Sequence, residues 1–253
     1  MLQSHLPPHW INRAMMKHVS LGILLLTASL ARAESTGYAA PRLDATSYRG
    51  DPWRNKDGSY RYSLELGGGV ALPAGATKKY QNTAGGFRLG GGYNLNRRLG
   101  IMLQYDFNNF GVPNSLLQHL PSAGDNYTGR VHLWSLTAAP VVQLLRSDGA
   151  SVYLTGGGGF YRKLVKFDTT TKGCNPDGGC LNFPTYAGGD SNNAGGVSLG
   201  LGAAKKIAFE SKVRVFAEAR YVWIANTGGH PGIHADIANK RTGYFPILIG
   251  LKW

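Results

Sequence analysis

Histidine, serine and aspartate side chains occur at two places where their spacing could support acid–base or nucleophilic chemistry. In "HLWS", His132 and Ser135 are three residues apart. On a strand this offset puts them on opposite faces, so they cannot form a nucleophile–base pair directly. In "HPGIHAD", His230, His234 and Asp236 could bind a metal or exchange protons, but no nucleophile has a defined position beside them. We therefore predict no catalytic residues, no metal site and no cofactor.

The only two cysteines, Cys174 and Cys180, enclose the turn-forming residues "NPDGG". A metal site would need further ligands, and none lies nearby in the sequence. In an exported protein, two cysteines that close a small loop most simply form a disulfide. We predict a Cys174–Cys180 disulfide.

The N-terminal segment has the features of an export signal. Arg13 and Lys17 precede an apolar run over 19–30, and the small-residue pattern Ala-Arg-Ala follows at 31–33. This order is typical of a secretory signal peptide with a cleavage site. We predict a signal peptide over 1–33, a mature start near Glu34, and translation from Met1 or from one of the methionines at 15 and 16. The polar residues 34–58 carry Pro and Gly without periodicity and predict a tail.

From residue 59 to 253 the dominant pattern is period two. Apolar and aromatic side chains alternate with small or polar ones in eight segments, which predicts eight strands. The connections alternate between tight turns and long segments, as in outer-membrane barrels. The tight turns lie at 94–98, 146–150 and 209–212, and the long segments at 73–84, 110–129, 165–192 and 225–241. We predict an all-β fold: an eight-stranded antiparallel up-and-down transmembrane β-barrel, with both the tail and Trp253 in the periplasm.

The polar face of these strands decides which face meets lipid. A soluble lipocalin-like barrel has the same period, with an apolar interior and a charged exterior. Here the polar face consists mainly of Gly, Ser, Thr and Ala, which suit the narrow lumen of eight strands. We therefore predict that the apolar face meets lipid. Pro140 and Pro246 fall within strands, where each removes a ladder donor, and we expect either a β-bulge at each or different strand boundaries.

The few charges on the polar face have both signs. Unpaired charges in a lumen would be costly, so we predict a salt-bridged plug that fills the lumen and blocks free flow. Its centre is predicted at Glu65, Arg88, Glu218 and Arg220. The complete predicted lumen network is Glu65, Arg88, Asp106, Arg214, Glu218 and Arg220.

The formal net charge of +13 could indicate binding to nucleic acid or to an anionic membrane surface. Basic residues bracket the predicted strands, and those at the long-segment end would face lipopolysaccharide phosphates. This placement needs no nucleic-acid partner. The predicted lipopolysaccharide-facing residues, here called the outer rim, are Lys78, Lys79, Arg130, Arg162, Lys163, Lys240 and Arg241.

The export signal, the eight alternating segments and the closing "YFPILIGLKW" resemble small outer-membrane β-barrels of the OmpA transmembrane, OmpW and opacity-protein type. In those families the last strand is read by the barrel-assembly machinery through alternating hydrophobic residues and a terminal aromatic. The resemblance implies a monomer in the cell outer membrane, with Trp253 in place of the usual Phe. It assigns the assembly signal to Phe245, Ile247, Ile249, Leu251 and Trp253.

The resemblance implies a structural, adhesion or surface-interaction role for a non-enzymatic protein. A first alternative, suggested by OmpW-like barrels, is a narrow channel for small or hydrophobic solutes. A second is a lipid A-modifying enzyme, because some eight-stranded barrels use a His and a Ser together near the outer surface.

Overall fold

The computed structural model describes residues 51–117, 127–147, 149–174, 179–208, 212–225 and 241–253, within a compact unit that runs from Ala45 to Trp253. The predicted signal peptide and the predicted tail up to residue 50 lie outside these ranges. Eight antiparallel strands form a closed ring in which each strand pairs with the next and β8 pairs with β1, which confirms the predicted fold. The strands are β1 (Tyr62–Pro73), β2 (Ala84–Asn94), β3 (Leu99–Gly111), β4 (Tyr127–Arg146), β5 (Ala150–Cys174), β6 (Cys180–Lys206), β7 (Arg214–Ile224) and β8 (Thr242–Lys252).

Burial alternates along the strands as the sequence pattern predicts. On β3, Leu103 is 56% exposed on the outer face, whereas the next residue, Gln104, is 1% exposed in the lumen. Large apolar side chains cover the outside of the ring, and the charged side chains of the polar face point inward. The apolar face is therefore the outer one, opposite to a lipocalin-like barrel.

The two ends of the ring differ in their connections. The short-turn end carries the β2–β3, β4–β5 and β6–β7 connections and Trp253, and the long-segment end carries the others. In outer-membrane barrels the short turns face the periplasm. Closure extends to Trp253, whose N–H donates to the Leu64 carbonyl at 3.0 Å and whose carbonyl accepts from the Leu64 N–H at 2.7 Å. The closed ring leaves no unpaired edge in the spanning region.

Two short helices stand at the long-segment end. A 3₁₀-helix spans Gly75–Lys79, and α1 spans Asn114–Leu117. Leu117 is buried and packs with Val112 against the barrel interior, so α1 lies over the mouth. No helix of the described residues is long and apolar enough to cross a membrane.

The third long segment is mostly a β-hairpin. We expected a loop over 165–192, but β5 continues to Cys174 and β6 begins at Cys180, and the ladder between them ends at the Cys174↔Cys180 pair. The predicted disulfide joins these two cysteines. The prediction of a loop was wrong because glycine and asparagine residues of 182–195 weaken the alternation in sequence, although their backbone still pairs with β5.

The expectation of a bulge at each proline was also wrong. The β4–β5 register is the same at Ala138↔Gly158 and at Val141↔Thr155, so Pro140 interrupts the pairing without shifting it. Pro246 likewise interrupts the β7–β8 ladder with no change of register. A proline has no N–H to donate, so the ladder loses its bonds there while the neighbouring pairs hold the register. The β4–β5 irregularity lies instead between Gln143 and Leu145.

Candidate functional site

The middle of the lumen contains a connected set of charged side chains from both sides of the ring. Arg88 on β2 donates from Nε to Asp106 Oδ1 on β3 at 2.6 Å, and from Nη1 to Glu218 Oε1 on β7. Because β7 lies across the barrel from β2 and β3, Arg88 joins opposite walls of the lumen. Glu218 Oε1 also accepts from Nε of Arg220, which puts one carboxylate between two guanidinium groups.

A neutral amide extends this set to β1 and β8. Arg220 Nη1 donates to Gln104 Oε1 at 2.7 Å, and Gln104 Nε2 donates to Glu65 Oε1. Lys252 Nζ lies 3.7 Å from Glu65 Oε2. We call these residues the lumen charge network: Glu65, Arg88, Gln104, Asp106, Glu218, Arg220 and Lys252. Its three carboxylates and three cations sum to zero charge, and every carboxylate is in contact with a cation.

The structure brings together five of the six residues predicted for the lumen network. The exception is Arg214, which lies at the short-turn end and donates from Nη1 to Ser151 Oγ at 3.4 Å. The prediction missed Lys252 at the end of β8, and it missed Gln104 on β3, since Gln104 is neutral. Its position on the inward face of β3, two residues before Asp106, was the available signal.

Glycines in neighbouring strands leave room for the long network side chains. A Cβ added to Gly90 would lie 2.7 Å from Cγ of Glu65, and one added to Gly200 would lie 2.3 Å from Cγ of Arg220. Such distances are too short for real contacts. The glycine-rich strands therefore fit the charged side chains that they face.

An apolar cluster fills the lumen towards the long-segment end. Phe110, Leu133, Phe167 and Ile224 are each at most 1% exposed and pack there beneath α1. The space left beside the charge network measures about 10 Å³, at the limit of one water molecule. The sequence pattern missed this cluster because the run 131–136 carries apolar residues on both faces.

Aromatic side chains follow one another around the outside of the ring. Ring centroids are 6.2 Å apart for Phe87 and Tyr105, 6.4 Å for Tyr105 and Trp134, and 5.5 Å for Trp134 and Phe160. These four residues lie on four consecutive strands, β2 to β5. An outward-facing aromatic row on an apolar surface is typical of a barrel that meets the membrane interface.

The family model for the outer membrane protein beta-barrel domain matches residues 19–244. The chain belongs to this family. It is an outer-membrane β-barrel protein, and the cell outer membrane is its location.

Solved structures of small barrels resemble this outer-membrane barrel. Ail of Yersinia pestis, bound to sucrose octasulfate, is 17% identical, with 76% of this chain and 96% of that chain covered and a TM-score of 0.40. Neisserial surface protein A is 15% identical, with 76% and 95% covered and a TM-score of 0.42. The N-terminal β-barrel domain of OprF from Pseudomonas aeruginosa is 13% identical, with 76% and 97% covered and a TM-score of 0.33. A comparison with curated proteins found no match.

Most, but not all, of the residues predicted for the outer rim of this outer-membrane barrel lie on its outside. Lys78, Lys79, Arg130 and Arg241 are exposed, and Arg162 is half-buried on the outer face. Lys240 lies outside the described residues. A correction concerns Lys163, which is 3% exposed and donates from Nζ to Thr242 Oγ1 inside the lumen at 3.3 Å. Consecutive strand residues point to opposite faces, so Arg162 and Lys163 cannot both face outward.

The candidate catalytic residues do not form a site in the described part of the barrel. His132 stacks on Phe107 on the outer face, with ring centroids 5.9 Å apart, whereas Ser135 is buried in the lumen. The two lie on opposite faces, as their spacing predicts. His230, His234 and Asp236 lie outside the described residues. Among the residues that the structure does describe, no group of three or more His, Cys, Asp or Glu side chains could hold a metal ion.

The β5–β6 hairpin projects from the long-segment end of the outer-membrane barrel. Pairing with β4 ends at Tyr127↔Thr169, and in the described ranges pairing with β7 ends at Gly196↔Ile224. With 25 residues, β5 is about 14 residues longer than a strand needs to span a bilayer. Three large apolar side chains on β6 near the tip are exposed, namely Leu181, Phe183 and Tyr186.

The residues predicted to form the assembly signal lie on one face of β8. Phe245, Ile249, Leu251 and Trp253 are exposed on the outside of the ring, and Ile247 between them is half-buried. Phe245 contacts Tyr221 on β7, with ring centroids 4.9 Å apart.

Proposed function

We propose that this outer-membrane barrel has a structural, adhesion or surface-interaction role and acts through its extracellular hairpin, not as an open channel. The observation that carries the proposal is a filled lumen beneath a projecting, disulfide-closed hairpin. As an outer-membrane protein, the barrel lies among phospholipid and lipopolysaccharide.

The filled lumen supports the proposal that the barrel is not an open channel. A solute that crosses the barrel must separate ion pairs such as Arg88–Glu218 and then displace the apolar cluster around Phe110 and Phe167. Breaking one buried ion pair costs about 3–5 kcal/mol when its partner stays behind. Passive diffusion through the barrel would therefore be slow.

The β5–β6 hairpin supports the proposed role in surface interaction. An isolated two-stranded hairpin is marginally stable in water, and a disulfide at its tip limits fraying. Leu181, Phe183 and Tyr186 are 61%, 52% and 65% exposed, and aromatic side chains are enriched in protein–protein interfaces. The tip thus offers an ordered, partly apolar surface outside the membrane.

The experiment compares bacteria that display the wild-type barrel with bacteria that display a Leu181→Ser, Phe183→Ser, Tyr186→Ser triple variant. A matched control carries Thr169→Ser, Thr170→Ser and Thr171→Ser on the partner strand. We expect the triple variant, and not the control, to lose cell-to-cell aggregation and adherence to surfaces coated with serum protein. Unchanged adherence by the triple variant at equal surface amounts would refute the hairpin's role.

The two alternatives have direct tests. Single-channel recording of the purified barrel in a planar bilayer should show no steady conductance, whereas a reproducible open level would favour the narrow channel. Mass spectrometry of lipid A with and without the protein should show no new species, whereas an added or removed acyl group would favour the enzyme.

We also propose two interactions in the envelope and an oligomeric state. The outer rim binds lipopolysaccharide phosphates, the assembly machinery reads the outer face of β8, and the barrel is a monomer. Exposed cations at the rim and the exposed alternating side chains of β8 support the first two. Light scattering in detergent tests the third, and a mass of two protein copies would overturn it.

A further inference from the structure

A second cavity lies in the lumen at the short-turn end, next to the charge network. It measures about 120 Å³ and has room for several water molecules. Its wall comes from the first residues of β1, β5 and β7, the last residues of β4 and β8, and the β2–β3 turn. Residues far apart in the sequence therefore meet at one concave surface on the periplasmic side.

The lining of this cavity is strongly cationic. Five basic side chains line it, and no Asp or Glu of the described residues does. Lys252 pairs with Glu65, and the backbone N–H of Arg97 donates to Asp57 Oδ2 at 2.6 Å. The basic lining residues are Arg97, Arg146, Lys212, Arg214 and Lys252.

Arg214 and Lys212 make contacts with neutral groups at this cavity. Arg214 is half-buried, and its Nη1 donates to the Ser151 hydroxyl at a long distance of 3.4 Å. The ammonium of Lys212 lies 5.4 Å from the ring centroid of Tyr60. A half-buried guanidinium gains more from an anionic acceptor than from a hydroxyl, because a charge removed from water needs a partner of opposite charge.

Neighbouring contacts hold the lining in place. Arg146 Nη1 donates to the backbone carbonyl of Arg97 at 2.8 Å, which ties the end of β4 to the β2–β3 turn. Ser151 on β5 carries a hydroxyl beside Arg214 that could also donate to a ligand. Guanidinium groups present planar, paired donors that match the oxygens of a phosphate group.

From this geometry we propose that the cavity binds a phosphate-type oxyanion on the periplasmic side of the barrel. Space for several water molecules suits one phosphate group. The phosphate could be free in the periplasm or could belong to a lipid headgroup, and the chemistry of recognition is the same.

The test uses the full mature chain, refolded in maltoside micelles that contain no phosphate. Inorganic phosphate is titrated in, and binding is followed by calorimetry. We expect saturable binding that weakens at least about tenfold in Arg214→Gln and in Lys212→Gln, as when a charge-assisted hydrogen bond is lost. Arg98→Gln is the matched control, because Arg98 stands in the same turn as Arg97 but does not line the cavity.

Absence of saturable binding, or an equal loss of affinity in Arg98→Gln, would overturn the proposal. If Arg214→Gln does not fold, Arg214→Lys keeps the charge and should still weaken binding, because it loses the paired donors. Nanodiscs with and without phosphatidylglycerol separate the two sources. Competition between this lipid and phosphate indicates a headgroup ligand, whereas unchanged phosphate affinity indicates a soluble one.

Discussion

At the scale of single residues, Glu218 is the charge on which the lumen network depends most. One of its oxygens accepts from both Arg88 and Arg220. Substitution Glu218→Gln leaves two buried guanidinium groups with one carboxylate fewer, which should lower the free energy of unfolding by about 3–5 kcal/mol. Urea unfolding in lipid vesicles, followed by tryptophan fluorescence, measures this. Arg98→Gln, on the exposed β2–β3 turn, should change stability by less than about 0.5 kcal/mol, and an equal effect in the two variants would contradict the assignment.

Gly200 tests whether the network needs the space that glycine leaves. In Gly200→Ala the new methyl group would lie 2.3 Å from Cγ of Arg220 and 2.6 Å from the Ala219 carbonyl oxygen. Overpacking of this kind costs about 1–3 kcal/mol of folding free energy. Gly195→Ala on the same strand has no heavy atom within 4 Å and serves as the control. Equal unfolding midpoints for the two variants would show that the lumen can adjust.

The network residues could be predicted from the sequence in part. Alternation places a charge on the inner or outer face, and this is enough for Glu65, Arg88 and Glu218. It does not identify Gln104, because a neutral amide is not required to have a partner of opposite charge. The assignment of Lys163 to the outer rim ignored its neighbour Arg162, since adjacent strand residues cannot share a face.

At the scale of elements, the segment 51–61 is held to the β2–β3 turn through Asp57. Asp57 accepts from the N–H and hydroxyl of Ser59 at 2.9 and 2.6 Å, and from the Arg97 N–H at 2.6 Å. Burial raises the pKa of Asp57, but these hydrogen bonds and the Arg97 charge outweigh it, so the pKa lies below its ordinary value. Gly58 permits the tight turn with φ of 78°.

This lowered pKa sets a pH dependence for the segment. The folded pKa is below the unfolded one, so the stabilisation is complete above the unfolded value of about 3.9 and is lost as pH falls through the folded value. We expect the protection of the Arg97 amide against hydrogen exchange, corrected for the intrinsic rate, to fall in that acid range and to stay constant at about neutral pH. Asp57→Asn should exchange faster at all these pH values, without the acid step. An acid step that persists in Asp57→Asn would assign it to another group.

The disulfide should stabilise the hairpin tip and not the barrel. Beyond Thr169, β5 pairs with β6 and with no other strand of the described residues. Closing a loop this small stabilises the tip by about 2 kcal/mol in the chain-entropy model. Reduction should therefore increase hydrogen exchange and proteolysis near Cys174 and leave the ring intact. A Cys174→Ala, Cys180→Ala variant should show the same exchange with or without reductant, and a loss of barrel structure on reduction would contradict this prediction.

The sequence pattern predicts that a strand is present better than it predicts where that strand ends. The short strands β2 and β7 alternate throughout, because one face meets lipid and the other meets the lumen. Beyond the membrane both faces of the β5–β6 hairpin meet water, so alternation is no longer required and the sequence gives no signal of the ladder. The extent of the hairpin was therefore missed, although its two cysteines were correctly paired.

For the whole molecule, a closed ring predicts resistance to detergent. The β1–β8 ladder and the bonds between Leu64 and Trp253 leave no edge from which the sheet can open easily. The unboiled protein from the outer-membrane fraction should migrate differently from the boiled protein in detergent electrophoresis. Trp253→Ala should weaken assembly and so lower the amount of folded protein, which is the species that migrates differently before boiling. A single species under both conditions would argue against a stable barrel.

The eight-strand ring itself could be predicted from sequence because the alternation, the turn lengths and the predicted export signal agree. Of the two groups of side chains that fill the lumen, the charge network could be predicted from sequence and the apolar cluster could not. Where apolar residues also occupy the inner face, the strand is apolar on both faces. The sequence then does not show which of these residues fill the lumen.

The zero net charge of the lumen network has a consequence for its response to an electric field. A voltage across a membrane acts on each elementary charge with about 2.3 kcal/mol per 100 mV. Three cations and three carboxylates that move together experience no net force, because the work done on one sign cancels the work done on the other. A membrane potential should therefore neither pull the lumen charge network out of the barrel nor press it in.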